Sequence, residues 1–326
     1  MKDMHLADNI FDQPEMIPTR FGYGDGLVEL GKRNPDVVVL GADLSASLCV
    51  DRFRDAFPDR FIQTGISEQD MMGMAAGLSL AGKIPFVSTY GVFCTGRTWD
   101  QLRTTVAYAK LNVKVGSGHG GVSVGADGAT HQALEDISIT RTIPNVTVIA
   151  PADYHETLKA TVAAGTMSGP VVIRFGREKV PAVTTPDTPF AVGRAETFRH
   201  GTDVSIAACG VMVYEALAAA EKLVSRGVSV RVINCHTVKP LDGETILAAA
   251  RETGAVVTAE EHQVMGGFGS AIAEFLCQNH PVPMKMVGVQ DTFGQSGPPE
   301  ALMKAYGLTS DNLVAAVDEV LKLKTR

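Results

Sequence analysis

No run of about 18 uncharged apolar residues occurs in the sequence, so neither a transmembrane helix nor a membrane partner is expected. Cys-x-x-Cys pairs are missing too. The five cysteines, Cys49, Cys94, Cys209, Cys235 and Cys277, are odd in number and scattered. That pattern reads as reduced thiols in a reducing compartment, against a disulfide framework or a zinc cluster. Basic excess is absent: 29 Lys and Arg stand against 36 Asp and Glu, a formal net charge of −7, the wrong sign for a nucleic-acid binder. The opening stretch MKDMHLADNIFDQPE is polar and broken by Pro14, so no signal peptide is expected. Nucleotide signatures are lacking as well. MGGFGS at 265–270 has neither the spacing of a dinucleotide fingerprint nor a Walker lysine, and structural glycine packing explains it better than an anion site. The mild acidity suits a cytoplasmic enzyme, and no metal site within this chain is expected.

The chain has 326 residues, 45% of them hydrophobic, which suits two domains with sizeable cores. Short β-branched runs alternate with helical patterns: VVVLG at 37–41, IPFVSTY at 84–90, NVKVGS at 112–117, NVTVIAP at 145–151 and PVVIRFG at 170–176. Helices are expected near 68–81, 97–109, 132–141 and 153–167. Continuous apolar strands separated by helices predict a parallel sheet covered on both faces. The stretch 179–196, with three prolines and little periodicity, reads as a linker. A second alternating series then runs from DVSIAACG at 203–210 to MKMVGV at 284–289, and two helical stretches close the chain. The fold expected is α/β, with two three-layer α/β/α domains and mostly parallel sheets. The boundary is set at residues 1–185 and 186–326.

In such sheets ligands gather beyond the carboxyl ends of the strands. Asp43 and Ser47, Tyr90 and Phe93, His119 to His131, and Arg177 all fall there. GISEQDMMGMAAGLSLAG at 65–82 puts Glu68 where an extended run turns into an apolar helix. Locally, Ser67 reads as the N-cap, Asp70 completes a capping-box-like pair, and Glu68 complements the helix dipole by roughly 0.3–1 kcal/mol. HGGVSVGADGATHQ at 119–132 is a long glycine-rich loop with two histidines and an aspartate, more polar chemistry than a connector needs. Its structural alternative has Thr130 as an N-cap and His131 as a helix-start residue. Tyr90, Phe93 and Trp99 are either core aromatics or a stacking platform for a flat heterocycle.

Taken together, GISEQ, STYGVF, VGADGATHQALEDIS, IPNVTVIAPAD and GPVVIRFGR resemble the transketolase family, specifically its carboxy-terminal half, in the family's order and spacing. The resemblance implies a pyrimidine-binding domain followed by the family's C-terminal domain, as in the second subunit of a split transketolase. It implies thiamine diphosphate as cofactor, with Mg²⁺ and the diphosphate held by an amino-terminal partner subunit in an α2β2 heterotetramer. GDG at 24–26 matches the start of the family's Mg-diphosphate motif, but RNPD follows far too soon to be its second part, and that reading is rejected.

By the same resemblance, Glu68 hydrogen-bonds to N1′ of the cofactor's aminopyrimidine ring. Phe93 stacks on that ring, Tyr90 is its neighbour, and Asp43 lies near the cofactor. Asp127 contacts a substrate hydroxyl, and His131 serves the reacting C1 hydroxyl and carbonyl. Arg20, Ser47, His119 and Arg177 hold the anionic end of a sugar phosphate; an arginine offers a planar fork of donors to an oxyanion. The reaction implied moves a two-carbon ketol unit from a ketose phosphate to an aldose phosphate. Two departures stand out. Gly96 takes the place of a tyrosine beside the pyrimidine, leaving that wall to Trp99 or open, and Tyr90 replaces a more usual phenylalanine. EEHQVMGGFG and KPLD are closer to deoxyxylulose-phosphate synthase and to the beta subunit of 2-oxo-acid dehydrogenases. Those two, and a non-catalytic subunit of the same fold, are the alternative readings.

Overall fold

The computed structural model describes residues 6–324. The predicted apolar runs build two sheets. The first has seven strands in the spatial order Thr237–Lys239, Thr147–Ile149, Val171–Arg174, Lys114–Gly118, Ile84–Tyr90, Val37–Gly41 and Phe61–Gln63. Every neighbouring pair is parallel except the first, where Thr237–Lys239 runs against Thr147–Ile149. The pleat sends alternate residues of VVVLG to opposite faces. Val38 and Leu40 pack with Met71, Met72 and Ala75 of the helix Glu68–Leu80. Val37 and Val39 pack with Tyr23, Leu27 and Leu30 of Thr19–Arg33 and with Ala160 and Ala164 of Tyr154–Thr166. Burial on both faces is why the run reads as uninterrupted apolar sequence.

The second sheet orders Met284–Val289, Val256–Gln263, Val204–Ala208, Val230–Asn234 and Glu196–Arg199, parallel except for the last. Met212–Val224 and Ser310–Lys324 cover one face. Gly243–Thr253 and Phe268–Asn279 cover the other, and their apolar side chains join the core cluster that holds Val38 and Met71. The fold is therefore α/β with mostly parallel sheets, as the alternation of runs predicts. Among the described residues no helix is long and apolar enough to cross a membrane.

Four expectations change. The stretch read as a linker is tied down: Lys179–Pro181 pairs antiparallel with Met16–Pro18, and the Asp153 carboxylate accepts hydrogen bonds from the Val183 and Thr184 amides and the Thr184 hydroxyl. The helix expected at 97–109 is wound as two π-helical segments, Val92–Arg97 and Gln101–Ala107. The helix expected at 132–141 starts only at Asp136, so neither the Thr130 N-cap nor a helix-start role for His131 holds. Thr19–Arg33 is a helix that the sequence reading passed over. Its GDG belongs to a packing face: a Cβ on Gly22 would meet the Tyr154 carbonyl oxygen at 2.2 Å, and one on Gly26 the Thr161 Cβ at 2.8 Å. At the MGGFGS turn the helix N-terminus is met by an internal carboxyl, whose pKa burial pushes up to about 8. Glu260 accepts from the Phe268 and Gly269 amides at 2.6 and 2.8 Å, so the helix N-terminus is already satisfied.

Candidate active site

Strand register sets the site. Gly41 lies opposite Ser88, Tyr90 opposite Gly118, and Ser117 opposite Arg174, so four strands end at one sheet margin. The loops leaving that margin carry Asp43 and Ser47, Phe93, His119 and Arg177. Phe61–Gln63, the next strand, leads into Glu68.

Glu68 is the first residue of its helix and only 2% exposed. The predicted Ser67 cap is not made. The Ser67 hydroxyl donates instead to the Thr64 carbonyl at 2.8 Å, which fixes the turn before the helix and leaves Glu68 to complement its N-terminal dipole. The Glu68 carboxylate accepts from Arg97 Nη1 at 2.7 Å. The Arg97 guanidinium carbon lies 4.5 Å from the centroid of the Phe93 ring. Carboxylate, flat cation and aromatic ring thus form one connected group. Sequence reasoning missed Arg97. The signal available was Gly96, which removes the expected aromatic and leaves the next side chain to line the wall. Trp99 does not supply it: its indole N–H donates to the Ile139 carbonyl at 3.2 Å.

Around Phe93 stands an aromatic cluster. Tyr90 stacks on His119 with ring centroids 3.8 Å apart and lies 6.1 Å from Phe93. His131 meets Tyr90 and Phe93 edge-on at 5.9 and 5.4 Å, and its Nδ1 is 2.9 Å from the Thr130 hydroxyl. His119 takes a left-handed φ of 57°, unusual for a residue with a Cβ, and is 1% exposed. Burial, then Arg177, Arg20 and His131, push its pKa down to about 3. The ring is therefore neutral at any working pH. We expect the His119 imidazole resonances to show no titration between pH 5 and 8 by NMR of histidine-labelled protein; a midpoint near 6.5 would contradict the burial argument. The linkage has a definite sign: the unfolded chain takes up this proton near pH 6.5 and the folded chain only near 3, so this residue weakens the fold as pH falls between the two.

Arg20 Nη1 donates to the Ser47 carbonyl at 2.9 Å, while Arg20 Nε and His119 Nδ1 are buried with no hydrogen-bond partner among the described residues. Arg177 donates to the Val124 carbonyl at 3.0 Å and to Asp127 at 3.2 Å, tying the strand end to the glycine-rich loop. The structure therefore gathers Phe93, Tyr90, His119 and His131 through direct ring contacts, joins Glu68 to them through Arg97, and brings Arg20 and Arg177 close enough to His119 to act on its charge, with Ser47 held by Arg20 and Asp127 by Arg177. Asp43 stands apart on the rim, exposed, with its amide donating to the Gln63 side chain at 3.1 Å.

The glycine-rich loop is buttressed from the second sheet. Glu261 accepts from the Ser123 amide at 2.6 Å, and a Cβ on Gly121 would meet the Glu261 carboxyl carbon at 2.1 Å. Arg174 Nε donates to Asp136 at 2.8 Å, and its Nη2 donates to the Glu261 carbonyl at 2.7 Å. His262 Nε2 receives the Ile137 amide at 3.1 Å. Sequence patterns gave no sign of this network, because its members come from four separate segments.

The family profile for the transketolase pyrimidine-binding domain matches residues 15–183, and the profile for the transketolase C-terminal domain matches residues 193–313. A 6-deoxy-6-sulfo-D-fructose transketolase subunit of Clostridium sp. is 43% identical over 302 residues, covering 93% of this chain and 94% of that one. A putative transketolase C-terminal section of Methanocaldococcus jannaschii is 41% identical over 306 residues, covering 93% and 96%. Among solved structures, a split-gene transketolase described as an inactive β4 tetramer superposes with a TM-score of 0.89 at 49% identity, covering 94% of this chain and 99% of that one.

Proposed function

The chain belongs to the transketolase family, spanning its pyrimidine-binding and C-terminal domains, and we propose that it is the catalytic carboxy-terminal subunit of a split, thiamine-diphosphate-dependent transketolase. The observation that carries the reading is Glu68, a carboxylate 2% exposed at a helix start and linked through one flat cation to the face of Phe93. That donor set fits an aminopyrimidine: an acceptor for a ring nitrogen beside an aromatic face, with Tyr90 and His131 closing the side. When bound, thiamine diphosphate supplies an acidic carbon and an electron sink for breaking a carbon–carbon bond.

The chain's own residues do the rest. Glu68 shares a proton with the ring nitrogen N1′. His131, held by Thr130, serves the reacting hydroxyl and carbonyl. Asp127, held by Arg177, takes a substrate hydroxyl. Asp43 lies on the rim near the cofactor. Neutral His119 stacks on Tyr90 and, with Arg20, Ser47 and Arg177, receives the anionic tail of the sugar. The unpartnered Arg20 Nε and His119 Nδ1 support a ligand there, since buried polar atoms are normally paired.

The substrates are a ketose phosphate donor and an aldose phosphate acceptor, as in pentose phosphate metabolism in the cytoplasm. Mg²⁺ and the cofactor's diphosphate fall to an amino-terminal partner subunit. No group of three or more His, Cys, Asp or Glu side chains able to hold a metal occurs among the described residues. The assembly is an α2β2 heterotetramer. Dehydrogenase chemistry on 2-oxo acids would use Glu68 equally well but has no need of the cationic pair Arg20 and Arg177.

The test is co-expression with a diphosphate-binding partner, then a screen of xylulose 5-phosphate, a 6-sulfo ketose and branched 2-oxo acids with thiamine diphosphate and Mg²⁺. The expected result is aldose-dependent turnover of an anionic ketose by the complex and none by this chain alone. Turnover of 2-oxo acids without ketoses would transfer the chain to the dehydrogenase reading.

A further inference from the structure

We infer that Arg97 is a built-in placeholder for the pyrimidine ring: its guanidinium occupies the seat between Glu68 and Phe93 and competes with the cofactor for both. The inference rests on the assignment of Glu68 and Phe93 given above. Two contacts define that seat, a hydrogen bond to the buried carboxylate and stacking on the aromatic face. Arg97 makes both, at 2.7 Å to Glu68 and 4.5 Å to the Phe93 centroid. A guanidinium suits the part better than any other side chain. It is planar, carries its donors in the plane, and is weakly hydrated, so it both stacks and hydrogen-bonds as a flat heterocycle would.

The surroundings allow it to leave. The side chain is 46% exposed, against 2% for its carboxylate partner, so the cation reaches water by rotating about its own bonds. A Cβ built on neighbouring Gly96 would find nothing within 4 Å, so the wall where that side chain would stand is open. The backbone need not move: Gln69 Nε2 donates to the Arg97 carbonyl at 3.1 Å and pins it to the helix that carries Glu68. Arg97 also ends a π-helical segment, a winding often found at functional sites. Held in place, the cation keeps the Glu68 carboxylate partnered and preserves the gap to Phe93. Displaced, it leaves both surfaces to the incoming ring.

Competition of this kind lowers apparent affinity by the fraction of protein in which the seat is free. Thiamine diphosphate binding to the two-subunit complex would be measured by calorimetry with Mg²⁺ present, for the native chain, Arg97→Ala and Arg97→Lys. Arg97→Ala is expected to lower the Kd about tenfold. Arg97→Lys, which keeps the charge without the flat fork, should fall between the two. Adding free guanidinium at millimolar concentration should raise the Kd of Arg97→Ala back toward the native value and leave the native protein unmoved.

An unchanged Kd in Arg97→Ala overturns the proposal. A weaker one that Lys restores does so too, and would make Arg97 a cofactor-holding group. Thermal unfolding of each variant serves as the folding control. Glu68→Gln separates the premise from the inference. If it leaves thiamine diphosphate affinity unchanged, the assignment of Glu68 fails. If it weakens binding while Arg97→Ala has no effect, only the placeholder fails.

Discussion

Glu68→Gln in the reconstituted complex is expected to lower turnover by at least about a hundredfold, the scale for losing a key proton-transfer group. The amide keeps the shape of the carboxyl, and before the cofactor binds its oxygen can still accept from Arg97, so the seat beside Phe93 keeps its shape. What it loses is the capacity to share a proton with a ring nitrogen. The rate loss should therefore come with a small change in stability, about 1 kcal/mol for a charge-assisted hydrogen bond to a half-exposed arginine. Steady-state kinetics with denaturant unfolding on the same preparation checks both halves. Unchanged turnover would favour a non-catalytic subunit.

Arg174→Met is expected to cost about 3–5 kcal/mol of folding stability, the usual penalty for removing one partner of a buried ion pair. Asp136 and Glu261 are 4% and 3% exposed, and both depend on this guanidinium for compensating charge. The double variant Arg174→Met with Asp136→Leu should recover only part of the loss, because Asp136 is then no longer left charged in the core while Glu261 still lacks its cation. A penalty below 1 kcal/mol for the single variant, read from the denaturant midpoint, would show that water reaches the network. Loosening should also raise KM, since the same cluster steadies the loop that carries Asp127 and His131.

Much of this architecture was legible because a two-sided buried sheet leaves a plain trace. VVVLG and IPFVSTY are strands at the residues where their apolar runs predicted them. Their common direction brought Tyr90, His119 and Arg177 to one margin before any contact was known. Failures came where tertiary contacts overrode local pattern. Thr19–Arg33 hid its helical signature behind Gly22, Gly24 and Gly26, small because a neighbouring helix and the Cys49 turn lie against them. Ser67 had the composition of a cap, but its hydroxyl found the Thr64 carbonyl instead. The π-helical winding at Val92–Arg97 shifts side chains off the ordinary helical stripe, so the replacement of an aromatic by Gly96 pointed to Trp99, or to an open wall, and passed over Arg97. Glu261 was invisible as a support for the glycine-rich loop because its partner Ser123 lies far away in sequence.

Three residues, Thr237–Lys239, lend the first sheet a border from the second half of the chain. Severing the polypeptide between its halves would therefore strip Thr147–Ile149 of its mate and lay bare a row of amides and carbonyls, an invitation to aggregate.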